Sequence, residues 1–223
     1  MFRKTVFGIV LALSCYAMAQ PSVAQATAWG LAYNSAAEVR GSGGFVVSEN
    51  ETHYFIMTAG HVVVDDEKEA YKGKELWVRF YSAGTISASA YPTLMWHVYD
   101  TGPDKGYYND LALLKLDKEW FMRTKTPKPQ IVHLLDRKIK PKVDTPFITF
   151  GSPGPWLSAY SGLVRSVHPN HIMIYPVPKR GRSGSAVVDY EGNVLGVVLR
   201  TDGLCVSSTH IYRLLDAAKI KNT

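Results

Sequence analysis

Three short stretches of this sequence carry side chains that could do chemistry together. The first is Lys179-Arg180-Gly181-Arg182-Ser183-Gly184-Ser185, followed at once by the apolar run Ala186-Val187-Val188. Glycine tolerates backbone angles that other residues avoid, and it lets a ligand approach the main chain. A serine in that setting can project its hydroxyl outward while nearby N–H groups converge on one point. Those are the parts of a nucleophile and an oxyanion hole. By itself, a Ser/Gly bend before a strand is equally the mark of an ordinary turn. The second stretch is Thr58-Ala59-Gly60-His61-Val62-Val63, which closes an apolar run. Imidazole exchanges a proton near neutral pH, although a histidine among apolar residues is also a common core residue. The third is Asn109-Asp110, at the head of Leu111-Ala112-Leu113-Leu114-Lys115-Leu116. An acid there can orient an imidazole or simply serve as a cap or turn residue. All three polar residues stand at the edges of apolar segments, where a cleft between two packed β units could collect them.

The elements that must position them are short and extended. Arg40-Gly41-Ser42-Gly43-Gly44 is a turn before Phe45-Val46-Val47-Ser48. Over 74–81, Leu76, Val78 and Phe80 alternate with Trp77, Arg79 and Tyr81, the period of a strand. Further strands fall at 85–91 and 94–99, a Gly/Pro loop at 101–107, and a buried strand or short helix at 111–116. Residues 119–141, rich in Lys, Arg and Pro, are expected as a surface connection between two halves. Strands resume at 146–150, 160–167, 172–175 and 194–199, with a turn over Gly151-Ser152-Pro153-Gly154-Pro155. Many short strands with Gly/Pro turns predict an all-β barrel or sandwich. At the end, Ile211, Leu214, Leu215 and Ala218 repeat at helical spacing, with Ser208 or Thr209 as the cap. Residues 28–33 read as a short lead-in.

The 223 residues, 46% hydrophobic and 20% charged, suit a globular protein with a sizeable core. Met1-Phe2-Arg3-Lys4 and the apolar run after it read as a secretory signal peptide over 1–24, with small-x-small sites at Ala17-Met18-Ala19 and Ser22-Val23-Ala24. The apolar run is shorter than the ~20 residues a retained bilayer span needs. This predicts an extracytoplasmic protein, periplasmic or secreted, with a lipid anchor at Cys15 as the alternative fate. Taking Arg3 and Lys4 off the formal +6 leaves +4. The basic residues are scattered and form no basic–aromatic stripe for nucleic acid. Once Cys15 is removed, Cys205 has no disulfide partner and reads as a small core residue between Leu204 and Val206. His168-Pro169-Asn170-His171 is the only close histidine pair, and its proline breaks helical ligand spacing, so no metal or other cofactor is called for.

Taken together, the segments around His61, Asp110 and Gly181-Arg182-Ser183-Gly184-Ser185 resemble the three signature segments of trypsin-like (chymotrypsin-fold) serine proteases, in that family's order. Gly41-Ser42-Gly43-Gly44-Phe45-Val46-Val47, Ser161-Gly162-Leu163-Val164 and Glu191-Gly192-Asn193-Val194-Leu195-Gly196 extend the likeness to roughly 41–215. The α/β-hydrolases are excluded, because they place the serine first and follow it with a helix. The resemblance implies two packed six-stranded antiparallel β-barrels, at 25–118 and 142–223, the second ending in an α-helix. It also implies an endopeptidase acting on polypeptides. Ser183 would be the nucleophile, His61 the base and Asp110 its orienting acid, with the Gly181 and Ser183 N–H groups as oxyanion hole. A catalytically silent protease-fold protein that binds peptides or a protein partner is the alternative. An esterase on the same triad is a third reading.

Two departures from the family matter. Digestive members carry an acid before the serine, which pairs with a new N-terminal amine. Arg182 stands there and would repel an ammonium, so the pocket is expected to form on folding. Ser185 also replaces a common glycine. By resemblance Val177 lies near the base of the specificity pocket, Leu199, Arg200 and Thr201 along its wall, and Cys205 behind. With no acid at the base, an apolar or small residue is expected before the cut. Lys179, Arg180 and Arg182 around the serine could favour acidic residues nearby, or be plain loop charges.

Overall fold

The computed structural model describes residues 22–82, 85–100, 109–152 and 157–217. Cys15, the 101–107 loop, Pro153 to Pro155 of the expected turn, and Ala218 lie outside them. The first half contains helix α1 (Val23–Ser35) and strands β1 (Ala36–Val39), β2 (Ser42–Glu49), β3 (His53–Thr58), β4 (Val78–Ser82), β5 (Thr85–Ile86), β6 (Thr93–Tyr99) and β7 (Asp110–Asp117). Helix α2 (Lys118–Thr124) and strand β8 (His133–Leu134) follow. The second half has β9 (Pro146–Gly151), β10 (Ser158–Val167), β11 (His171–Tyr175), β12 (Ala186–Asp189), β13 (Asn193–Val198), β14 (Leu204–Ser207) and helix α3 (Ser208–Ala217).

The architecture is chymotrypsin-like, and its halves close differently. In the second half β12-β9-β10-β11-β14-β13 form a six-stranded antiparallel barrel, closed by β12 pairing with β13, and β8 adds in parallel outside β13. The first half is a seven-stranded sheet, β5-β4-β1-β2-β3-β7-β6, with no ladder joining β5 to β6 among the described residues. Two-residue β5 offers too short an edge for closure. Phe147, Ile172, Ile174, Leu195 and Cys205 fill the closed barrel. A larger cluster spans both halves, joining Phe45, Ile56 and Leu114 to Ile148, Val188 and Val197. Each such side chain contributes roughly 2 kcal/mol on burial, so the seam between halves is itself core.

Several expectations change. The lead-in at 28–33 is part of α1, whose small residues Ala28, Ala32 and Ser35 face inward. The 119–141 segment is no bare surface connection. Trp120 and Phe121 of α2 are buried against Phe80, and Val132, Leu134 and Leu135 are buried as well. These apolar residues fall at irregular spacing, so periodicity does not reveal them. The strand expected from 74 starts only at Val78, after a 3-10 turn over Gly73–Glu75. Its alternation holds over 76–80, with Leu76, Val78 and Phe80 buried, but Tyr81 of the other face is buried as well. Helix α3 is capped by Ser207, whose Oγ accepts from the His210 N–H at 3.3 Å, rather than by Ser208 or Thr209.

Candidate active site

Strand β3 ends at Thr58, and the chain tightens into a 3-10 turn over Gly60–Val62. Position 60 has no room for a side chain, because a Cβ there would press on the Val98 carbonyl and lie 3.0 Å from Asp110 Oδ1. The turn carries His61 over the head of β7, where Asp110 is the first residue. Asp110 Oδ2 lies 2.7 Å from His61 Nδ1, and its Oδ1 accepts from the His61 backbone N–H at 2.8 Å. The carboxylate is 5% exposed and the imidazole 32%. A buried acid gripping Nδ1 fixes the ring orientation and leaves Nε2 free to take a proton.

The serine comes from the second half, on the loop between β11 and β12. Gly181 (φ +82°) and Gly184 (φ +87°) adopt left-handed backbone on either side of Arg182 and Ser183. Ser183 Oγ donates to the Leu199 carbonyl at 3.0 Å and makes no bond to His61 in this rotamer. The loop is nevertheless locked against the turn that carries His61. The Gly43 N–H donates to the Ser183 carbonyl at 2.8 Å, and Thr58 Oγ1 donates to the Gly43 carbonyl at 2.7 Å. A Cβ on Gly184 would strike Thr58 Oγ1 and the Gly43 carbonyl and lie 2.9 Å from the Ala59 nitrogen. The N–H groups of Gly181 and Ser183 donate to no acceptor among the described residues.

A family model described as a trypsin-like peptidase domain matches residues 41–197, more than half of the chain. The chain belongs to the trypsin-like peptidase family. Solved structures agree on the fold. A serine endoprotease from Yersinia pestis superposes with a TM-score of 0.62 at 19% identity, over 87% of this chain and 66% of that one. The present chain thus spans just under two thirds of that relative. An inactive mutant form of Rv3671c from M. tuberculosis gives 0.60 at 18% identity, over 92% and 96% of the two chains. Deg5 gives 0.60 at 20%, over 85% and 91%. No curated protein matches by sequence.

Two polar bridges tie the halves of this trypsin-like peptidase together beside the site. The Ser152 N–H donates to the Gly181 carbonyl at 3.2 Å, and Ser152 Oγ lies 3.3 Å from the Tyr81 hydroxyl. That hydroxyl donates to Glu38 Oε2 at 2.6 Å, so a buried chain of groups runs from β1 and β4 to the serine loop. Burial, then the bond to Glu38, pushes the Tyr81 phenol up to about 12. On the other side, His210 Nε2 of α3 meets Asn109 Oδ1 at 2.8 Å, next to Asp110. Burial, reinforced by Arg213, pushes this imidazole down to about 4. Neither bridge has a sequence signal, because each joins residues from different elements.

The residues expected at the specificity pocket divide. Leu199 is buried, and its carbonyl receives the Ser183 hydroxyl. The hairpin beyond it is tight, with the Leu199 and Arg200 N–H groups donating to the Leu204 carbonyl at 2.9 and 3.3 Å. The Arg200 side chain pairs with Asp202 at 3.2 Å, and Thr201 is exposed. Val177 is exposed, as is Arg180. Cys205 is fully buried in β14, and burial pushes its thiol up, away from nucleophilic use. Arg182 departs from the expectation of a charge beside the serine: the residue is buried and its side chain bonds inward to Ser158. His168 and His171 stack at 4.3 Å across the β10–β11 turn. Among the described residues no three His, Cys, Asp or Glu side chains gather as for a metal ion.

Proposed function

We propose that this protein hydrolyses peptide bonds through an acyl-enzyme on Ser183, with His61 as base and Asp110 as its orienting acid. The observation that carries the reading is the doubly bonded His61–Asp110 pair, with a buried carboxylate and a half-buried imidazole. In this reading the Ser183 hydroxyl turns from the Leu199 carbonyl to His61 Nε2. Ser183 Oγ then attacks the scissile carbonyl while its proton passes to Nε2. The oxyanion is received by the Gly181 and Ser183 N–H groups, each such donor contributing about 3 kcal/mol to the transition state. His61 delivers the proton to the leaving amine, and water repeats the sequence to release the acid.

Val177, Leu199, Arg200 and Thr201, with Arg180 on the approach, line the specificity pocket in this reading, and it takes a small or apolar side chain. The protein works outside the cytoplasm after loss of its leader. Cleavage after Ala19 rather than Ala24 fits α1, because Ser22 caps that helix by accepting from the Gln25 N–H at 3.1 Å.

Labelling with a fluorophosphonate tests the nucleophile. The native protein takes up one label at Ser183, and Ser183→Ala takes up none. A peptide library then reports the residue before the cut. A folded native protein that neither labels nor cleaves, yet binds peptides of the library, marks the silent peptide-binding alternative, which the turned-away Ser183 hydroxyl favours. Ester turnover with no peptide cleavage marks an esterase.

A further inference from the structure

Arg182 precedes the proposed nucleophile, yet its guanidinium is turned to the start of β10. Nη1 donates to the Ser158 carbonyl at 3.1 Å. Nη2 donates to Ser158 Oγ at 2.7 Å and to the Ala159 carbonyl at 3.3 Å. Its central carbon stands 5.1 Å from the centre of the Tyr160 ring. All these partners are neutral, and Nε is buried with no acceptor among the described residues. Burying a guanidinium without a counter-charge costs several kcal/mol, so packing alone is a poor reason for it.

The loop around Arg182 gives a better one. Its two left-handed glycines, 181 and 184, leave the intervening peptides free to flip unless something holds them. The Ser185 N–H donates to the Arg182 carbonyl at 3.0 Å. A trans peptide sets its C=O and N–H in opposite directions, so this bond aims the Ser183 N–H the other way. Gly151 closes the underside, where a Cβ would lie 2.9 Å from Arg182 Cγ and 3.2 Å from its Cα. The side chain thus links the loop to the start of β10, in addition to the bonds that Gly43 and Ser152 make to the Ser183 and Gly181 carbonyls.

We propose that Arg182 is a positioning residue: its inward guanidinium fastens the 181–185 loop to β10, so that the Gly181 and Ser183 N–H groups converge without an outside charge partner. This rests on the reading of Ser183 as nucleophile. A planar fork reaching three acceptors is a geometry that lysine cannot copy.

The test is the second-order rate of fluorophosphonate labelling in native protein, Arg182→Met, Arg182→Lys and Ser158→Ala, with thermal melts alongside. Arg182→Met is expected to label about 100-fold more slowly, the size of one lost oxyanion donor. Arg182→Lys recovers part of that loss. Guanidinium ion, added well below denaturing concentration, speeds Arg182→Met and leaves the native protein unchanged. Ser158→Ala, which removes only one acceptor, labels several-fold more slowly with a native melt. Native rates in folded Arg182→Met overturn the proposal. If Arg182→Met does not fold, native rates in both Arg182→Lys and Ser158→Ala overturn it instead. Native protein that fails to label at Ser183 overturns the nucleophile as well, whereas native labelling with indifferent Arg182 variants removes the positioning role alone.

Discussion

The first half supplies His61 and Asp110 through one sheet, whereas the second supplies Ser183 on a loop. Strands β3 and β7 pair from His53↔Asp117 to Thr58↔Ala112, and that ladder delivers the turn bearing His61 to the head of β7. The imidazole and carboxylate are consequently already engaged. Ser183 has no such ladder. It is placed by contacts across the seam, from Gly43, Thr58 and Ala59 to Ser183 and Gly184, and its hydroxyl rests on a carbonyl of its own half. A pair within one sheet is pre-set by strand register, while a group brought across an interface keeps a rotamer to spare.

That contrast can be broken at either end. The largest effect is expected from Asp110→Asn, which keeps the shape of the pair and spoils the tautomer. Labelling of Ser183 should fall on the order of 10⁴-fold with little change in the melt. Gly184→Ala attacks the seam instead. The new Cβ meets Thr58 and Gly43, and φ is +87° there, so both stability and labelling should drop. About 4 kcal/mol in denaturant unfolding is the expected scale.

Acid should loosen the α3 bridge next. His210 has a folded pKa near 4, below the ordinary 6.5 of the unfolded chain. Above pH 6.5 both states hold it neutral, and its contribution is fully present. Between about 6.5 and 4 only the unfolded chain takes up the proton, so stability falls as pH falls, by on the order of 3 kcal/mol in total. His171, lowered by burial and by His168, contributes in the same direction. His210→Gln should flatten that slope in urea titrations across this range, and an unchanged slope would assign it to other groups. The smallest change is expected from Tyr81→Phe, which strips the 2.6 Å bond from buried Glu38 and costs about 2 kcal/mol. Labelling should fall less than in Asp110→Asn, because the pair in the first sheet is untouched.

Much of the fold is legible in the sequence. The alternation through Leu76, Val78 and Phe80, the apolar strand after Asp110 and the amphipathic spacing of α3 all reflect periods that burial imposes on a chain. The choice between strand and helix for 111–116 could not be made locally. It was settled by β7 pairing with β3 on one side and β6 on the other. Helix α1 has no periodic signal because it buries small residues rather than an apolar stripe, and α2 has none because Trp120 and Phe121 repeat nothing.

On its own, the sequence decided which chemical groups exist, their order, and the local bends that expose them, because backbone preference and side-chain chemistry act over a few residues. Only the tertiary structure decided that Asp110 grips a histidine 49 positions away, that Arg182 turns inward to Ser158, and that the Ser183 hydroxyl rests on Leu199. Those outcomes depend on which distant acceptor lies within about 3 Å of a donor, and only the packing of one half on the other fixes that distance.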